Sequence, residues 1–352
     1  MATTAVARAE PSAELIAAAE GEGQLTTIAL PHDWCGYGAV IDSFKKKYPK
    51  ITVNELNPDA GSADEVEAIK ANKDNKGPQA PDVVDVGLAF GPQMKSEGLT
   101  MPYKVSTWDE IPENIKDADG HWYGDYYGVM SFLVNKDLVK ETPKDWADLT
   151  KSDYAGQVAL AGDPRASNQA ILAVLAAGLA QDAKPGKDAG EKGLEFFKEV
   201  NAKGNFVPVI GKSGTLAQGA TPIVVMWDYN ALAAKDTLAG NPPVEVVVPA
   251  KGVLAGVYVQ AISAFAPHPN AAKLWMEHLY SDEGQLLWLK GYCHPARFNA
   301  LVKAGKVPQD LLDKLPPAAS YEKAYFPTLE EVDANKAAVT GAWDSVVGAN
   351  VQ

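Results

Sequence analysis

Aromatic and acidic side chains recur in this chain at the points where predicted buried strands end. In the segment TPIVVMWDYNALAAKD, an apolar run is followed at once by Trp227, Asp228 and Tyr229, and then by a run that predicts a helix. Aromatic faces combined with carboxylates bind cations, amines and sugars without transforming them. A single aromatic residue is more often part of a hydrophobic core, but the same residue types recur at strand ends in both halves of the chain, which favours a ligand-binding site. The candidates of this kind are Asp33, Trp34, Tyr37, Asp85, Phe90, Asp163, Trp227, Asp228, Tyr229 and Tyr258.

A basic residue in the second half suggests a different ligand. In the segment GDPRASNQA, Arg165 stands just before a predicted helix whose first turn carries Ser167 and Asn168. Helix N-termini expose backbone N–H groups that bind anions. An ordinary helix start also accounts for Pro164 and Ser167. A phosphate or carboxylate held by Arg165 and Asn168 is therefore an alternative to a cationic ligand.

Motifs for catalysis are missing from the sequence. It contains no G-x-S-x-G, no GxxxxGK[ST], no GxGxxG after a strand, no H-E-x-x-H and no EF-hand loop. Acidic residues are too numerous for any pair of them to indicate glycoside hydrolysis. We therefore predict a protein that is not an enzyme and that uses no cofactor.

The two cysteines, Cys35 and Cys293, leave three alternatives open. They are free or buried thiols, they form one disulfide in an oxidising compartment, or they contribute to a zinc site. The zinc alternative arises because His32 lies three residues before Cys35 and His294 follows Cys293. The spacing is poor for zinc, so we predict no metal site.

Composition is typical of a globular protein with two domains. The chain has 352 residues, of which 46% are hydrophobic and 22% are charged, and its formal net charge is −13. No run approaches the roughly 18 apolar residues that a membrane span requires. The acidic balance argues against nucleic acid and against anionic membrane surfaces, because both call for a basic face. We therefore predict no nucleic-acid partner and no membrane-embedded segment.

The first ten residues contain a pattern that is typical of exported proteins. Ala7-Arg8-Ala9 matches the A-x-A pattern of signal-peptidase sites, although the charged and apolar segments that normally precede it are absent. We expect residues 1–9 to be the remaining end of a signal peptide and the mature protein to be exported.

Hydrophobic periodicity predicts strands that alternate with helices in the first part of the chain. Predicted strands cover 25–30, 51–56 and 82–87, and predicted helices cover 37–49, 62–72 and a segment that begins at Phe90. Ser62 is the expected N-cap of its helix, and Glu65 completes a capping box. This alternation predicts βαβ units and a parallel sheet, in which ligands bind beyond the carboxyl ends of the strands.

A second series with the same alternation follows. Its predicted strands are 156–163, 221–228 and 244–250, and its predicted helices include 167–180 and 193–204. Two long apolar segments, 126–139 and 256–267, flank this series, and the chain is expected to cross from one domain to the other there. Two crossings form a hinge rather than a flexible tether. The tail from Asn270 is predicted to be helical, with a last helix near 328–348.

Several segments, in a fixed order, resemble the periplasmic solute-binding proteins of ABC importers, specifically the type II group that binds spermidine/putrescine, iron(III), thiamine and aminoethylphosphonate. These segments lie within 12–300 and read AELIAAAEGEGQLTTIAL, FKKKYPKITVN, APDVVDVGLAF, YYGVMSFLVNKDLV, YAGQVALAGDPRASNQAILAVLA and APHPNAAKLWMEHLYSDEGQ. The last is the most specific, because it has the form P-x-x-A-x-x-[FLW]-x-[DEN]-[FH]-[LI]-x-S-x-E-[GA]-Q.

The resemblance implies an α/β protein with the two-lobed type II periplasmic-binding-protein fold and a hinge of two crossover segments. Lobe 1 is expected to comprise 10–130 and 262–300, and lobe 2 to comprise 131–261. Residues 301–352 are expected to form a helical segment that packs on the lobes. The resemblance further implies a periplasmic monomer that closes over a small-molecule ligand and docks on the transmembrane subunits of an ABC permease.

Residues shared with particular binders of this group bear on the ligand. Iron binders have two adjacent tyrosines where this chain reads Trp227-Asp228-Tyr229, which disfavours ferric iron. Polyamine binders are more similar, because they have Trp at this strand end and an Asp, here Asp163, that opens the second domain. They carry Glu soon afterwards, where this chain has Arg165. The resemblance therefore implies an amine-containing or zwitterionic ligand, with an anionic phosphorylated or carboxylated compound as the alternative.

In proteins of this fold the segment corresponding to 291–299 can return to the cleft. The resemblance therefore favours a disulfide between Cys35 and Cys293 among the three alternatives, and it places Arg297 near the ligand. A secreted enzyme that reuses the same two-lobed fold is the less favoured alternative for the function.

Overall fold

The computed structural model of the protein describes residues 10–315 and 323–352. The expected end of a signal peptide, residues 1–9, lies outside the described residues.

The first elements are α1 (Ala13–Glu22), β1 (Gln24–Ile28), α2 (Tyr37–Lys47), β2 (Thr52–Leu56), α3 (Ser62–Ala71), β3 (Val83–Gly87), α4 (Phe90–Ser96), β4 (Thr100–Met101) and β5 (Tyr123–Asn135). The next are β6 (Val158–Leu160), α5 (Asn168–Leu179), α6 (Lys187–Ala202), α7 (Ser213–Ala217), β7 (Ile223–Trp227), α8 (Asp228–Leu238), β8 (Val244–Val247) and β9 (Ala255–Ser263). The last are α9 (Pro269–Leu279), α10 (Asp282–Lys290), β10 (His294–Pro295), α11 (Phe298–Lys303), α12 (Gln309–Leu312) and α13 (Leu329–Val346). Short 3-10 helices span Trp108–Glu110, Glu113–Ile115, Trp146–Thr150 and Ser152–Tyr154.

The alternation of strands and helices predicted from periodicity is confirmed. The helix predicted at 37–49 is α2, and it buries one apolar face at helical spacing, formed by Tyr37, Val40, Ile41 and Phe44. It ends two residues before Pro49, because a proline disfavours helical geometry in the residue that precedes it. The strand predicted at 221–228 is β7, which is buried along its whole length.

The capping box predicted at Ser62 and Glu65 is wrong. The N-cap of α3 is Gly61, one residue earlier. The Ser62 hydroxyl instead accepts a hydrogen bond from the backbone N–H of Gly87 at 3.1 Å. The Glu65 carboxylate accepts one from the backbone N–H of Asp85 at 2.9 Å. Both side chains therefore attach α3 to β3.

The strands do not form the parallel sheets that the alternation predicted. β1 pairs with β2 in parallel, and β6 pairs with β7 in parallel. However, β3 pairs antiparallel with β9, and β7 pairs antiparallel with β5. The reason is that β5 and β9 cross between the two halves and enter each sheet in the reverse direction. In the described residues the main path of the larger sheet is β3-β9-β5-β7-β6.

Strands β5 and β9 are the two crossover segments. The part of β5 up to Val129 pairs with β9, and the part from Met130 pairs with β7 and β8. β9 pairs in turn with β3 and β4. A rotation of one half against the other must therefore bend these two strands, so they form a hinge. We call β1–β4 with α1–α4, α9 and α10 the first lobe, and β6–β8 with α5–α8 the second lobe.

The C-terminal helix α13 packs against α5 and α6 of the second lobe. The last residue, Gln352, exchanges backbone hydrogen bonds with Pro208 and Ile210. In the first lobe α9 packs on α1 and α10 packs on α2. The fully buried Trp275 and Trp288 contact Phe44 and Tyr37 of α2, respectively. Among the helices that the structure describes, none has both the length and the apolar character needed to cross a membrane.

Candidate ligand-binding site

Five aromatic rings from five elements meet where the two lobes touch. The ring centroid of Trp34, on the loop before α2, lies 5.5 Å from that of Tyr229 and 5.4 Å from that of Tyr258, both edge to face. Tyr126 of β5 stacks on Tyr258 at 5.5 Å, and its hydroxyl accepts a hydrogen bond from Nε1 of Trp34 at 2.7 Å. Trp227 stacks on Tyr229 at 6.3 Å. We call these five residues the aromatic cluster.

The junction of β7 and α8 places three predicted residues at this site. β7 ends at Trp227, and α8 begins with Asp228 and Tyr229. Asp228 is fully buried and accepts a hydrogen bond from the backbone N–H of Val129 at 2.8 Å. Its position in the first turn of α8 stabilises its negative charge, because the N-terminal end of a helix carries partial positive charge.

Two glycines on the crossover strands make room for these rings. Gly128 of β5 lies opposite Gly256 of β9. A Cβ atom on Gly256 would lie 2.0 Å from Cη2 of Trp227, and a Cβ atom on Gly128 would lie 2.4 Å from Cδ1 of Tyr229. The two rings therefore rest directly on the backbone of the crossover strands, a close approach that requires glycine.

Asn168, the first residue of α5, reaches the same site from the second lobe. Its side chain lies against Gly87 of β3, where an added Cβ would be 2.0 Å from Cγ of Asn168. It also contacts the hydroxyl of Tyr258. The start of α5 therefore touches the first lobe beside the aromatic cluster.

Three buried carboxyl groups lie beneath the aromatic cluster. Asp85 lies on β3, Glu65 on α3 and Asp125 on β5. Oδ2 of Asp85 accepts hydrogen bonds from the hydroxyls of Tyr37 at 2.9 Å and Tyr126 at 2.5 Å. We call Glu65, Asp85 and Asp125 the carboxyl cluster, and Tyr126 joins it to the aromatic cluster.

Gln260 of β9 links Tyr37 to Asp125 of the carboxyl cluster by hydrogen bonds. Its Nε2 donates to the hydroxyl of Tyr37 at 2.8 Å and to Oδ2 of Asp125 at 2.9 Å. The other oxygen of Asp125 accepts from the backbone N–H of Tyr126 at 2.8 Å. Side chains from α2, β5 and β9 are therefore linked in one buried network.

Burial raises the pKa of every member of the carboxyl cluster. It raises the pKa of Asp85 to about 7, and hydrogen bonds from Tyr126 and Tyr37 oppose that shift. The pKa values of Asp125 and Glu65 lie well above their usual range, first because of burial and then because of the neighbouring Asp85 charge. The cluster therefore keeps protons at pH values where exposed carboxyl groups are ionised.

A disulfide joins Cys35 to Cys293 at the edge of the site, with Cα atoms 5.4 Å apart. It connects the loop that carries Trp34 to the segment after α10. Gly291 packs directly on this loop, because a Cβ atom there would lie 2.3 Å from the carbonyl carbon of Cys35. Of the three alternatives for the cysteines, the structure shows the disulfide.

Two expected ligand residues, Arg165 and Asp163, bind each other instead. Nε of Arg165 donates to Oδ1 of Asp163 at 2.9 Å. Its terminal nitrogens bind Asp344 at 3.3 Å and Asn350 at 2.9 Å, both near the C-terminus. Two carboxylates therefore already neutralise the guanidinium that was predicted to hold an anion.

Three other expected residues lie outside both clusters. Arg297, which was expected near the ligand, is buried in the first lobe and forms ion pairs with Glu110 and Asp282. The ring of Phe90 lies 3.5 Å below Nζ of Lys336 on α13. Asp33 is exposed on the loop beside the site.

Sequence reasoning missed three members of the two clusters, Glu65, Asp125 and Tyr126, and also Gln260, which hydrogen-bonds to the carboxyl cluster. Glu65 was assigned to a helix cap, and the others lie in the apolar crossover segments or directly beside them. Asp125 did carry a signal. A carboxylate inside an otherwise apolar strand is unfavourable unless it is hydrogen-bonded or protonated, and such residues concentrate at functional sites.

Two lobes that touch across a buried, acidic and aromatic site define a binding protein of the two-lobed class. The chain belongs to the family of bacterial extracellular solute-binding proteins, whose sequence model matches residues 79–324. An uncharacterized protein of Haemophilus influenzae is 33% identical over 228 residues, which are 58% of this chain and 60% of that protein. The probable ABC transporter periplasmic-binding protein y4fP of Sinorhizobium fredii is 29% identical over 160 residues, which are 44% of this chain and 43% of that protein. The chain therefore spans about half the length of these curated relatives.

A solved structure supports the fold over nearly the whole chain. The periplasmic binding protein AfuA from Actinobacillus pleuropneumoniae, with exogenous fructose-6-phosphate bound, is 22% identical in sequence. The match covers 92% of this chain and 98% of that chain, with a TM-score of 0.70. The predicted two-lobed α/β fold of type II periplasmic binding proteins is therefore confirmed.

Proposed function

We propose that this protein is the solute-binding component of an ABC importer and that it binds a small amine-containing or zwitterionic ligand between its lobes. The family supports binding outside the cytoplasm, and the name of the Sinorhizobium fredii relative supports an ABC transporter. The proposed compartment is the periplasm, and the proposed partners are the transmembrane subunits of a permease. We expect a monomer that releases its ligand chemically unchanged.

The observation that carries the ligand class is the meeting of aromatic rings and buried carboxyl groups at one interlobe site. Asp85 lies beneath the rings and Asp228 beside them, and both are at most 5% exposed. An ammonium group among these rings gains cation–π attraction and charge-assisted hydrogen bonds. It also neutralises carboxylates whose burial is otherwise unfavourable. An anion at the same place is repelled.

Closure of the lobes follows from contacts that cross between them. Trp34 of the first lobe touches Tyr229 of the second, and Lys212 of α7 forms an ion pair with Asp59 at 2.9 Å. A ligand that contacts both lobes shifts the population towards this closed arrangement. We propose lobe boundaries at 130/131 and 261/262, within the crossover strands, and a C-terminal segment that starts at 301.

The anionic alternative has less support. The AfuA structure contains fructose-6-phosphate, so a relative of this fold binds a phosphorylated compound. In this chain Arg165 is engaged by Asp163 and Asp344, and a phosphate would have to displace both carboxylates. The structure favours the amine for this reason.

Binding assays with two matched variants test the proposal. A thermal-shift panel of amines, amino acids and sugar phosphates identifies the ligand class, because binding to the folded state alone raises stability. Asp228→Asn keeps an acceptor for the N–H of Val129 but removes the charge, so we expect the Kd for the amine to rise at least ~30-fold, which is about 2 kcal/mol. Arg165→Ala should change that Kd by less than about twofold, as expected for a partly exposed ion pair.

The opposite pattern would contradict the proposal. Stabilisation by sugar phosphates and by no amine, lost in Arg165→Ala and retained in Asp228→Asn, would show that the ligand is an anion.

A further inference from the structure

The carboxyl cluster contains three acids without a basic partner. Over the described ranges, no lysine, arginine or histidine forms a hydrogen bond or ion pair with Glu65, Asp85 or Asp125. Their partners are tyrosine hydroxyls, the Gln260 amide and backbone N–H groups. Oδ1 of Asp85 is buried and accepts no hydrogen bond from any of these donors. The cluster is therefore rich in acceptors and lacks positive charge.

The titratable groups around the cluster are acids and phenols on every neighbouring element. They are Tyr37 of α2, Asp64 of α3, Tyr126 of β5, Tyr258 of β9, Asp228 and Tyr229 of α8, and Tyr280 after α9. Burial raises the pKa of the phenols, so they stay neutral. The charge of the carboxyl cluster must therefore be balanced by protons or by a cationic ligand.

Asp85 and Asp125 lie in one buried network, because Tyr37 donates to Asp85 and accepts from Gln260, which also donates to Asp125. Two carboxyl groups buried together without a basic partner are not both ionised, so the pair holds a proton. Burial raises the pKa of both groups, which acts in the same direction. The proton belongs to the pair, which titrates as one unit.

We propose that the carboxyl cluster exchanges this proton for an ammonium group of the ligand, an inference that rests on the proposed function. The ammonium enters beside Tyr126, whose hydroxyl donates to Asp85 and accepts from Trp34 and so lies between the two clusters. Its N–H groups donate to the oxygens of Asp85 and Asp125. The O–H bond of the protonated carboxyl breaks, its electron pair stays on the oxygen, and the proton passes to the solvent. One positive charge enters and one leaves.

The exchange requires an ammonium group that carries N–H bonds. Oδ1 of Asp85 needs a donor, and a quaternary ammonium has none. The aromatic cluster alone would accept either kind of cation through its ring faces. The carboxyl cluster beneath it therefore discriminates between ammonium groups with N–H bonds and those without. A diamine should bind better than its fully N-methylated analogue.

Calorimetry of the full chain measures the exchange directly. 1,4-Diaminobutane is titrated into the protein at pH 6 in two buffers of different ionisation enthalpy. We expect about one proton to be released per amine bound, and binding of the hexa-N-methylated analogue to be at least ~10-fold weaker. In Asp125→Asn the amide donates to Asp85 in place of the shared proton, so release should fall close to zero.

Two further variants complete the calorimetric test. Asp85→Asn changes the other member of the pair that shares the proton, so it should remove the same proton. It serves as the test variant if Asp125→Asn does not fold. Asp74→Asn changes an exposed aspartate after α3 and should release as many protons as the wild type.

A measurement without ligand tests the bound proton itself. Above the usual aspartate pKa of about 4, the folded protein still holds this proton and the unfolded chain does not, because burial raises the pKa of Asp85 and Asp125 in the folded protein. This proton should therefore lower the folding constant by up to about tenfold per pH unit as the pH rises above about 4. Asp125→Asn should lose this component relative to the wild type, and Asp74→Asn should keep it.

The outcomes separate this inference from the proposed function. Amine binding without a buffer-dependent heat, or an unchanged pH slope in both Asp125→Asn and Asp85→Asn, would overturn the exchange and leave an amine-binding protein. No binding of 1,4-diaminobutane would also overturn the exchange. Binding of sugar phosphates, with no amine bound in the thermal-shift panel, would overturn both.

Discussion

Replacing Gly256 by alanine tests the contact between a crossover strand and the aromatic cluster. The added Cβ would lie 2.0 Å from Cη2 and 2.5 Å from Cζ2 of Trp227, whereas ordinary contacts lie at 3.4–4 Å. The ring must therefore shift by about 1.4 Å, the difference between 3.4 and 2.0 Å. It cannot shift alone, because Trp227 is fully buried and lies against Tyr229 and Tyr258.

The cost of this overlap follows from the rigidity of its surroundings. Overpacking a core costs about 1–3 kcal/mol, and we expect the upper end, about 3 kcal/mol, because the obstacle is an aromatic ring rather than a flexible chain end. Urea denaturation should show a lower midpoint at an unchanged m value. We also expect amine binding to weaken at least ~10-fold, about 1.4 kcal/mol, because the displaced ring disturbs the aromatic cluster.

A control and a rescue variant make the result interpretable. Gly341→Ala in α13 adds a methyl group with no atom within 4 Å, and it should stabilise the protein by about 0.5–1 kcal/mol because alanine is favoured in helices. Trp227→Phe removes the obstructing atoms, so the double variant with Gly256→Ala should show a coupling energy of about 1 kcal/mol or more. Additive losses in the double variant, or a loss below about 0.5 kcal/mol for Gly256→Ala alone, would refute the reasoning.

Two further predictions concern the disulfide and a buried imidazole. Cys35→Ser removes a crosslink between residues separated by 258 positions, so the free energy of unfolding in urea should fall by about 2–5 kcal/mol. Reductant should lower the free energy of unfolding of the wild type to the same value. A wild type that reductant does not destabilise would contradict a stabilising role for the disulfide. Burial lowers the pKa of His278 to about 4, so the neutral form stabilises the fold above about pH 6.5 and up to about 3 kcal/mol is lost as the pH falls from there towards 4. His278→Gln should remove this part of the pH dependence of stability, and an identical profile in the variant would show that the imidazole is not its source.

Local sequence pattern was sufficient for the elements that carry the site. The apolar run before Trp227 predicted β7, and the residues after it predicted a helix, which is α8. These predictions succeed because strand and helix periodicity depend on residues only a few positions apart. They also place Asp228 and Tyr229 just beyond the end of a strand, where they reach the interlobe site.

Local pattern failed where a side chain had a distant partner. Ser62 and Glu65 match a capping box, yet Glu65 bonds the backbone of Asp85, 20 positions away. Arg165 matches a helix-start anion site, yet its terminal nitrogen binds Asp344, 179 positions away. No rule based on spacing along the chain can predict such a competitor.

The sequence by itself determined the order of strands and helices, the two crossover segments and the resemblance to two-lobed binding proteins. It also identified Trp34, Trp227 and Tyr229 as candidate site residues. Only the tertiary structure decided which charged groups enter the site, because it pairs Arg165 with carboxylates and places Asp125 of β5 beside Asp85 of β3 without a basic partner. The physical reason is that the free energy of a buried charge depends on every group packed around it, and those groups come from elements far apart in the sequence.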